Sequence, residues 1–338
     1  MLNRTRTVVA ALALLPIALA SCSSGTGHPA ANGGSSSPLA GRTIALLNGD
    51  NLDPYFLSIW AGASAEAKKL GIHLLEQAPT AHDYTLQLPI FNDLVAKQVD
   101  GIIFAPDSKT AFRQAYATAH GAGIPVVLVN DTMALEKNDP NVLSFKGSDP
   151  TLLGVLGAKS LAKAVGGSGL VSVINGYSGN QNEELRGVGF MDTIKKDNPG
   201  MTILPQQYDL GDISKAYAIA TSEIQANPNL KGIYAVDSFT GQGVGTAIKG
   251  VHATGRIKLV AVDAEPQEVQ LMRDGVIQAL IAQQPFKMGV SAVDDLVLAI
   301  QGKASQVQRS LILNPIEVTP QNIDTEAMKT VVYSANKP

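Results

Sequence analysis

The regular pattern of the chain begins with a short apolar run, followed by a polar loop and then by apolar residues at helical spacing. Residues 44–47 are continuously apolar, which is typical of a strand covered on both faces. The run ends at Asn48-Gly49-Asp50, a composition typical of turns. From Phe56 onward the apolar positions follow a helical period, at Ile59, Trp60, Ala63, Ala67 and Leu70. The pattern predicts a strand–loop–helix unit over residues 43–62, and the loops of such units bind ligands in open parallel sheets.

The same alternation continues through the rest of the chain. Asp149-Pro150 marks a helix start, with a cap residue followed by proline at the first helical position. Further strands are predicted at residues 72–75, 101–104, 124–129, 170–174, 203–204, 233–235, 259–262 and 279–282, with helices between them. Alternating strands and helices predict an α/β fold whose parallel sheet carries helices on both faces.

Two strand–turn segments recur in the same order in the second half of the chain. Residues 101–108 resemble residues 232–238, which are one residue shorter, and residues 124–131 resemble residues 257–264 without a gap. In each case an apolar strand ends in a polar residue. The repeat predicts two similar α/β lobes with polar strand ends facing each other across a cleft. Chance similarity between strand–turn–helix units is the alternative.

Composition narrows the class of protein. The chain has 338 residues, enough for two domains, with a net charge of −3 and 16% charged residues. Without a later block of lysine or arginine, this balance argues against a nucleic-acid-binding surface. The single cysteine, Cys22, allows neither a disulfide nor a thiolate metal cluster within one chain.

The first 22 residues have the pattern of a secretion signal. Two early arginines precede the apolar residues 8–20, and small residues follow. Residues 19–22, Leu-Ala-Ser-Cys, resemble the bacterial lipoprotein cleavage box, which implies lipidation of Cys22. A plain signal peptide with an incidental cysteine is the alternative. Residues 23–40 are rich in Ser, Gly, Ala and Pro and predict a flexible tether. We therefore expect an extracytoplasmic protein that is lipid-anchored to the bacterial cell membrane.

Several short segments, in this order and spacing, point to a known family. They are residues 43–46, 53–56, 99–103, Pro106, 123–127, 186–190, 262–263 and 281–283. Together they resemble the ribose/galactose-type periplasmic sugar-binding proteins, the substrate-binding components of ABC importers. The resemblance extends from about residue 43 to the 320s.

The resemblance implies the type I periplasmic binding protein fold, an α/β fold of two doubly wound parallel-sheet lobes joined by a three-segment hinge. By analogy the chain crosses between lobes near Gly147, Gln284 and Pro315. The implied division is residues 41–146 with 284–315 for the N-terminal lobe, 147–283 with 316–328 for the C-terminal lobe, and 329–338 for a tail.

The resemblance also implies a set of ligand-binding residues. These are Asp53, Tyr55, Phe56, Asn130, Asp131, Arg186, Asp237, Asp263 and Gln283. Ribose binders have an Asp-Arg pair where this chain has Asn130-Asp131, and an asparagine where it has Ala105. These changes remove one donor-rich side chain and add an acid, so the identity of the sugar stays open.

The residue types suit a hydroxyl-rich ligand. Carboxylates accept hydrogen bonds from hydroxyl groups, arginine donates several fixed bonds, and flat rings cover C–H faces. Each residue also has a structural alternative. Asp107, Asp237 and Asp263 could cap helices, Tyr55 and Phe56 could staple the first helix, Arg186 could be solvated, and Gln283 could be an inert hinge residue.

Patterns of common catalytic sites do not fit. Residues 49–52 lack the glycines of a dinucleotide site, and residues 176–180 fall one position short of a nucleophile elbow. The five histidines, without metal-ligand spacing, are expected at the surface. We therefore expect no cofactor, no metal site and no enzymatic activity.

The resulting hypothesis is a solute-binding lipoprotein that captures a monosaccharide or sugar alcohol by lobe closure. Its expected partners are an ABC permease and its ATPase, with the membrane reached through the lipid anchor, and we expect a monomer. The alternatives are a sugar-sensing protein that presents its ligand to a membrane receptor, and a secreted α/β enzyme. A sugar-responsive repressor would need a DNA-reading helix pair where the signal and tether lie.

Overall fold

The computed structural model describes Leu39, residues 41–108, 110–130 and 139–333, Asn336 and Pro338. Cys22 and Asp131 lie outside these residues, as do the predicted signal peptide and all of the predicted tether except Leu39. Within the described ranges the chain forms two mainly parallel sheets with helices packed against both faces of each.

The first sheet has six strands in the described residues, and each pair of adjacent strands in it is parallel. Its strands are β1 Thr43–Leu47, β2 His73–Gln77, β3 Gly101–Phe104, β4 Val126–Asn130, β5 Ser144–Ser148 and β12 Ser310–Leu313. Their order is β12-β5-β4-β3-β1-β2.

The second sheet repeats this order with strands from the second half of the chain. Its strands are β6 Gly169–Asn175, β7 Met201–Ile203, β8 Gln207–Tyr208, β9 Leu230–Ala235, β10 Lys258–Val262, β11 Ile277–Ala282 and β13 Ile316–Val318. The order is β13-β11-β10-β9-β6-β7, with β8 beside β6 and β13 antiparallel to β11.

Nine α-helices connect these strands within the described ranges. They are α1 Pro54–Leu70, α2 Tyr84–Ala96, α3 Arg113–Gly121, α4 Pro150–Val165, α5 Gln181–Asp197, α6 Ile213–Ala226, α7 Ser238–Gly250, α8 Pro266–Arg273 and α9 Pro285–Ile300. Short 3-10 turns follow at Ala304–Gln306 and Glu326–Met328.

Alternate residues of each strand point to opposite faces, so each sheet contributes to two cores. In β1, Ile44 and Leu46 pack with the apolar side of α1 and α9, whereas Ala45 and Leu47 pack with α2 and α3. The continuous apolar strands seen in the sequence are therefore buried on both faces, as predicted.

Two helix pairs, α1 with α9 and α4 with α5, come into backbone contact through glycines. A Cβ atom on Gly62 would lie 1.9 Å from the carbonyl oxygen of Phe286, and one on Gly189 would lie 2.3 Å from that of Thr151. Because real Cβ atoms do not approach so closely, these contacts require glycine. The pairs place α1 and α5 with their first turns at the carboxyl ends of β1 and β6.

The chain passes between the two sheets three times, after β5, after β11 and between β12 and β13. The α/β fold of two parallel-sheet lobes is thus confirmed. The residue limits of the lobes stay a prediction. Four strands, β5, β8, β12 and β13, were not predicted, because each is only two to five residues long and has at most three consecutive apolar residues.

None of the helices in the described part of the chain is both long enough and apolar enough to cross a membrane.

Candidate ligand-binding cleft

A cavity of about 560 Å³ lies where the carboxyl ends of strands from both sheets meet. Of the nine residues predicted for the site, Asp131 is outside the described residues and the other eight all line this cavity. They are Asp53, Tyr55, Phe56, Asn130, Arg186, Asp237, Asp263 and Gln283. The structure therefore brings together side chains that are as much as 230 residues apart in the sequence.

A larger cavity, of about 810 Å³, lies at the opposite end of the first sheet, where the strands begin. The charged groups there already have partners, because Arg42 pairs with Asp100 at 2.6 Å and Arg309 donates to the carbonyl oxygen of Val142 at 2.9 Å. It contains no predicted site residue. We therefore take the smaller cavity as the candidate site.

Asp53 is held in place by the loop that precedes α1. It is the N-cap of this helix, and its Oδ1 accepts a hydrogen bond from the backbone N–H of Tyr55 at 2.8 Å. Asp50 in turn accepts hydrogen bonds from the backbone N–H groups of Leu52 and Asp53. Burial raises the pKa of Asp53 to about 6, against the lowering effect of the Tyr55 bond.

Tyr55 and Phe56 form an edge-to-face pair with ring centroids 5.4 Å apart. They are only 6% and 4% exposed, so they belong to the core of the first lobe while lining the cavity. Phe56 also lies 5.4 Å from the ring of His82. The structure thus combines the two alternatives considered for this pair, core packing and a wall of the cleft.

His82 and Asp107 form a pair in the cleft that the sequence analysis did not assign to the site. The Nδ1 atom of His82 is 3.1 Å from Oδ1 of Asp107, and this hydrogen bond raises the pKa of the imidazole. The alternative that Asp107 caps a helix is wrong, because α3 begins at Arg113 with Phe112 as its N-cap. His82 is partly exposed, yet it faces the cavity rather than open surface.

Asp237 caps α7, as one of the two interpretations predicted. Its Oδ1 accepts a hydrogen bond from the backbone N–H of Thr240 at 2.8 Å. The side chain is also buried in the wall of the cavity, and this burial raises its pKa to about 6.

Arg186 lies on the second turn of α5 and reaches the end of β9. One of its Nη atoms donates to the carbonyl oxygen of Val236 at 2.9 Å. Burial lowers the pKa of its guanidinium group, but the surrounding acidic groups, with Asp263 and Glu183 first, together raise it, and the net shift is upward. Its Nε atom is buried without a hydrogen-bond partner among the described residues. The alternative of a solvated helix-face arginine is wrong.

Asp263 and Gln283 lie side by side where β10 and β11 end. The Nε2 atom of Gln283 donates to Oδ1 of Asp263 at 2.9 Å, so this glutamine is not an inert hinge residue. Asp263 does not cap α8, because Glu265 is the N-cap of that helix and forms a capping box with Glu268.

Asp263 has a φ of 82° and Asn130, at the end of β4, has a φ of 78°. The two strand ends of the predicted repeat thus share a left-handed backbone.

Glu183 and Glu265 are two further acids of the cleft that sequence reasoning missed. Burial, with a smaller contribution from Asp237, raises the pKa of Glu183 to about 7. Burial, followed by the charge of Asp53, raises the pKa of Glu265 to about 8. Glu183 occupies in α5 the helical position that Phe56 occupies in α1, a match that lies outside the two repeated segments of the sequence.

The cleft is rich in acidic side chains. In the part of the chain that the structure describes, no group of three or more His, Cys, Asp or Glu side chains is arranged to hold a metal ion. The carboxylates are spread over both walls, each with a partner from its own lobe. Such a surface offers many separate hydrogen-bonding positions to one organic ligand.

Comparison with known proteins gives the family. Residues 44–304 match the family model described as a periplasmic binding protein domain. The chain belongs to the ribose/galactose-type periplasmic binding protein family. The resemblance to this family that the sequence indicated is therefore confirmed, as is the predicted fold.

Several members of this family have been named or solved. The D-allose-binding periplasmic protein of Escherichia coli is 30% identical over 78% of this chain and 86% of that protein. The ribose import binding protein of Salmonella typhimurium is 25% identical over 81% of this chain and 90% of that protein.

Solved structures show the same fold. An ABC transporter solute-binding protein from Agrobacterium vitis, bound with α-D-tagatopyranose, superposes with a TM-score of 0.76 at 28% identity, over 87% of this chain and 99% of that one. A periplasmic solute-binding protein from Actinobacillus succinogenes with bound D-allose superposes with a TM-score of 0.76 at 27% identity, over 83% and 98%.

Proposed function

We propose that the chain is an extracytoplasmic solute-binding lipoprotein of an ABC importer, which captures a monosaccharide or sugar alcohol by lobe closure. The observation that carries this proposal is the make-up of one cavity. Carboxylates, amides and a guanidinium group share it with the aromatic rings of Tyr55, Phe56, Tyr177 and Phe239. Named relatives that bind D-allose or ribose support the same class of ligand.

The cleft offers both acceptors and donors to hydroxyl groups. Near neutral pH Asp53 and Asp237, with pKa values of about 6, are mostly ionised and accept hydrogen bonds. Glu265, with a pKa of about 8, keeps its proton and can donate one. Arg186 adds a fixed set of donors. A hydroxyl group both donates and accepts, so a polyhydroxylated ligand matches this mixture.

Capture would follow from contact with both lobes. We propose that the N-terminal lobe comprises residues 41–146 with 284–315, and the C-terminal lobe residues 147–283 with 316–328. A ligand that bonds to Asp53 on one side and Arg186 on the other favours the closed arrangement, because only that arrangement satisfies both sets of bonds.

The proposed partners follow from the family. One relative is named a ribose import binding protein and another an ABC transporter solute-binding protein. We therefore propose that a membrane permease and its ATPase are the partners of this chain. We also propose that the protein is monomeric and binds its sugar without turning it over. A sensory role is the second candidate, and an importer is favoured because the named relatives are import or transporter proteins.

A ligand panel tests the proposed function directly. D-Allose, D-ribose, D-tagatose, D-arabinose and xylitol would each be added to the purified protein, and the melting temperature measured. A sugar present at 100 times its Kd stabilises the folded state by about 2.7 kcal/mol, which raises Tm by several degrees. A panel that leaves Tm unchanged, or a sugar that is converted during the assay, would contradict the proposal.

The lipid anchor is a separate part of the proposal. Cys22→Ser removes the sulfur atom that would carry the lipid, and we expect the variant to leave the membrane fraction when expressed in a bacterium that processes lipoproteins. Sugar binding by the released variant should equal that of the wild type. Retention of the variant on membranes would show that Cys22 is not the anchor.

A further inference from the structure

Residues 331–333 lie behind the candidate site, next to the strand ends that carry Asp263 and Gln283. Tyr333 was expected to lie in a tail, but it is only 3% exposed, and Val331 next to it is 4% exposed. Both belong to the buried core shared with α1 and the second sheet. Tyr333 is therefore held within the packed interior of the protein.

The hydroxyl group of Tyr333 connects two residues of the cleft. It donates a hydrogen bond to Oδ1 of Asp263 at 2.8 Å and accepts one from the backbone N–H of Gln283 at 3.1 Å. The backbone N–H of Tyr333 donates to the carbonyl oxygen of Ala264 at 3.0 Å. The tyrosine is therefore fixed to the strand ends that carry Asp263 and Gln283.

These hydrogen bonds give the two oxygen atoms of the Asp263 carboxylate different roles. Oδ1 receives both the Tyr333 hydroxyl and the Nε2 donor of Gln283, at 2.8 and 2.9 Å. With Oδ1 occupied from behind, Oδ2 is the oxygen left to a ligand in the cavity that Asp263 lines. Two donors on one oxygen also restrict rotation of the carboxylate.

The ring of Tyr333 reaches the other lobe. Its centroid lies 5.6 Å from that of Tyr55 in an edge-to-face arrangement with an interplanar angle of 73°. Tyr55 lines the cavity from α1. The side chain of Tyr333 therefore contacts Tyr55 on one wall and Asp263 on the other. It also contacts Gln283, at the point where the chain passes from β11 back to the first sheet.

We propose that Tyr333 is a positioning residue of the ligand site, which orients the Asp263 carboxylate toward the cleft and aligns it with Tyr55 of the opposite wall. The inference rests on the proposed function, because it assumes that Asp263 receives the ligand. It adds a residue that does not itself line the cavity.

The test compares Tyr333→Phe with Tyr116→Phe. Tyr333→Phe removes the hydroxyl group and keeps the ring beside Tyr55, whereas Tyr116 is fully buried in the first lobe away from the cavity. With D-allose and the other panel sugars as probes in calorimetry, Tyr333→Phe should raise Kd about tenfold, the usual effect of a lost hydrogen bond to a charged group. Tyr116→Phe should leave Kd unchanged even if it lowers stability.

A double-mutant cycle separates positioning from a general loss of structure. If Tyr333 acts through Asp263, Tyr333→Phe should have little further effect on Kd in an Asp263→Asn background. Independent, additive losses, or an unchanged Kd in the single variant, would overturn the inference while leaving the proposed function intact.

Crystal structures of the ligand-free wild type and Tyr333→Phe provide a readout that needs no sugar. The Asp263 carboxylate should rotate away from its wild-type position in the variant, and an unmoved carboxylate would overturn the inference. Failure of every panel sugar to bind the wild type would instead count against the proposed function.

Discussion

The two walls of the cleft share a scaffold but differ in chemistry. Helices α1 and α5 each follow the first strand of a sheet, and in each the N-cap residue and the second and third helical residues line the cavity. The matched pairs are Asp53 with Asn180, Tyr55 with Asn182 and Phe56 with Glu183. The first lobe thus presents rings where the second presents an amide and an acid.

The scaffold itself is repeated closely. Gly62 and Gly189 are both the ninth residue of their helix, and each lies against the backbone of its partner helix. The ends of β4 and β10 carry Asn130 and Asp263 in the same left-handed conformation. The comparison teaches that helix packing fixes where side chains enter the cleft, while the residue types at those positions decide what the cleft binds.

The largest effect is expected from breaking the shared scaffold. Gly62→Val and Gly189→Val would each force a Cβ atom into the backbone of the neighbouring helix, and we expect each to lower the free energy of unfolding by about 3 kcal/mol. Gly121→Ala is the control, because a Cβ there meets no atom within 4 Å. Urea denaturation measures the difference, and equal stability of all three variants would refute the scaffold argument.

The next largest effect is expected at Arg186, on the wall of the cleft that the second lobe forms. Arg186→Met removes the guanidinium group while keeping much of the side-chain volume, and leaves Glu183 and Asp263 without their cation. We expect sugar affinity to fall about a hundredfold, in the range for hydrogen bonds to charged groups. Arg256→Met, at an exposed position of the same lobe, should bind normally in calorimetry. Normal binding by Arg186→Met would remove this residue from the site.

A smaller effect is expected at Phe56, on the wall of the cleft that the first lobe forms. Phe56→Leu reduces the flat surface that faces the cavity, and we expect Kd to rise about fivefold, as for the loss of one aromatic contact. Phe91→Leu is the matched control, since Phe91 is buried in the same lobe but does not line the cavity. If both variants bind alike, the ring of Phe56 serves the core alone.

The effect that is smallest per step of pH is the pH dependence of stability that the acidic groups cause. Glu265 in the folded protein keeps its proton up to about pH 8, whereas in the unfolded chain it loses it near pH 4.5. The folded state therefore binds more protons between these values, and stability falls as pH rises through this window. Glu265→Gln should make the decrease shallower, by up to about 1 kcal/mol per pH unit.

Denaturation of the wild type, Glu265→Gln and Glu326→Gln at a series of pH values measures this dependence. Glu326 is exposed outside the cleft, so its variant should follow the wild type. If the free energy of unfolding of the wild type rises between pH 5 and 8, the buried acids of the cleft do not control its pH dependence.

Much of the site could be predicted because the family pattern marks strand ends. Asp53, Asn130, Asp237 and Asp263 each come directly after, or within a few residues of, a buried apolar strand, and parallel strands end at one edge of a sheet. The prediction was less complete for residues that reach the cleft from elsewhere. His82 precedes α2 with no apolar pattern to place it.

Polar residues inside the fold were the main source of error. The strand Ser144–Ser148 contains Lys146, which is 1% exposed and pairs with Asp295 of α9. A lysine in a short Ser-Phe-Lys-Gly-Ser segment does not predict a buried strand. Its partner lies almost 150 residues away, so only the folded chain shows that the charge is compensated.

The sequence by itself determined the two-lobe α/β fold, the family and the strand ends that supply polar groups, because apolar periodicity and turn residues act over a few neighbours. The tertiary structure decided which of these groups share one cavity and what protonation they have there. It placed Arg186 among carboxylates, paired His82 with Asp107 and brought Tyr333 behind Asp263. Burial and charge depend on groups that are distant in the chain, so local sequence pattern does not contain them.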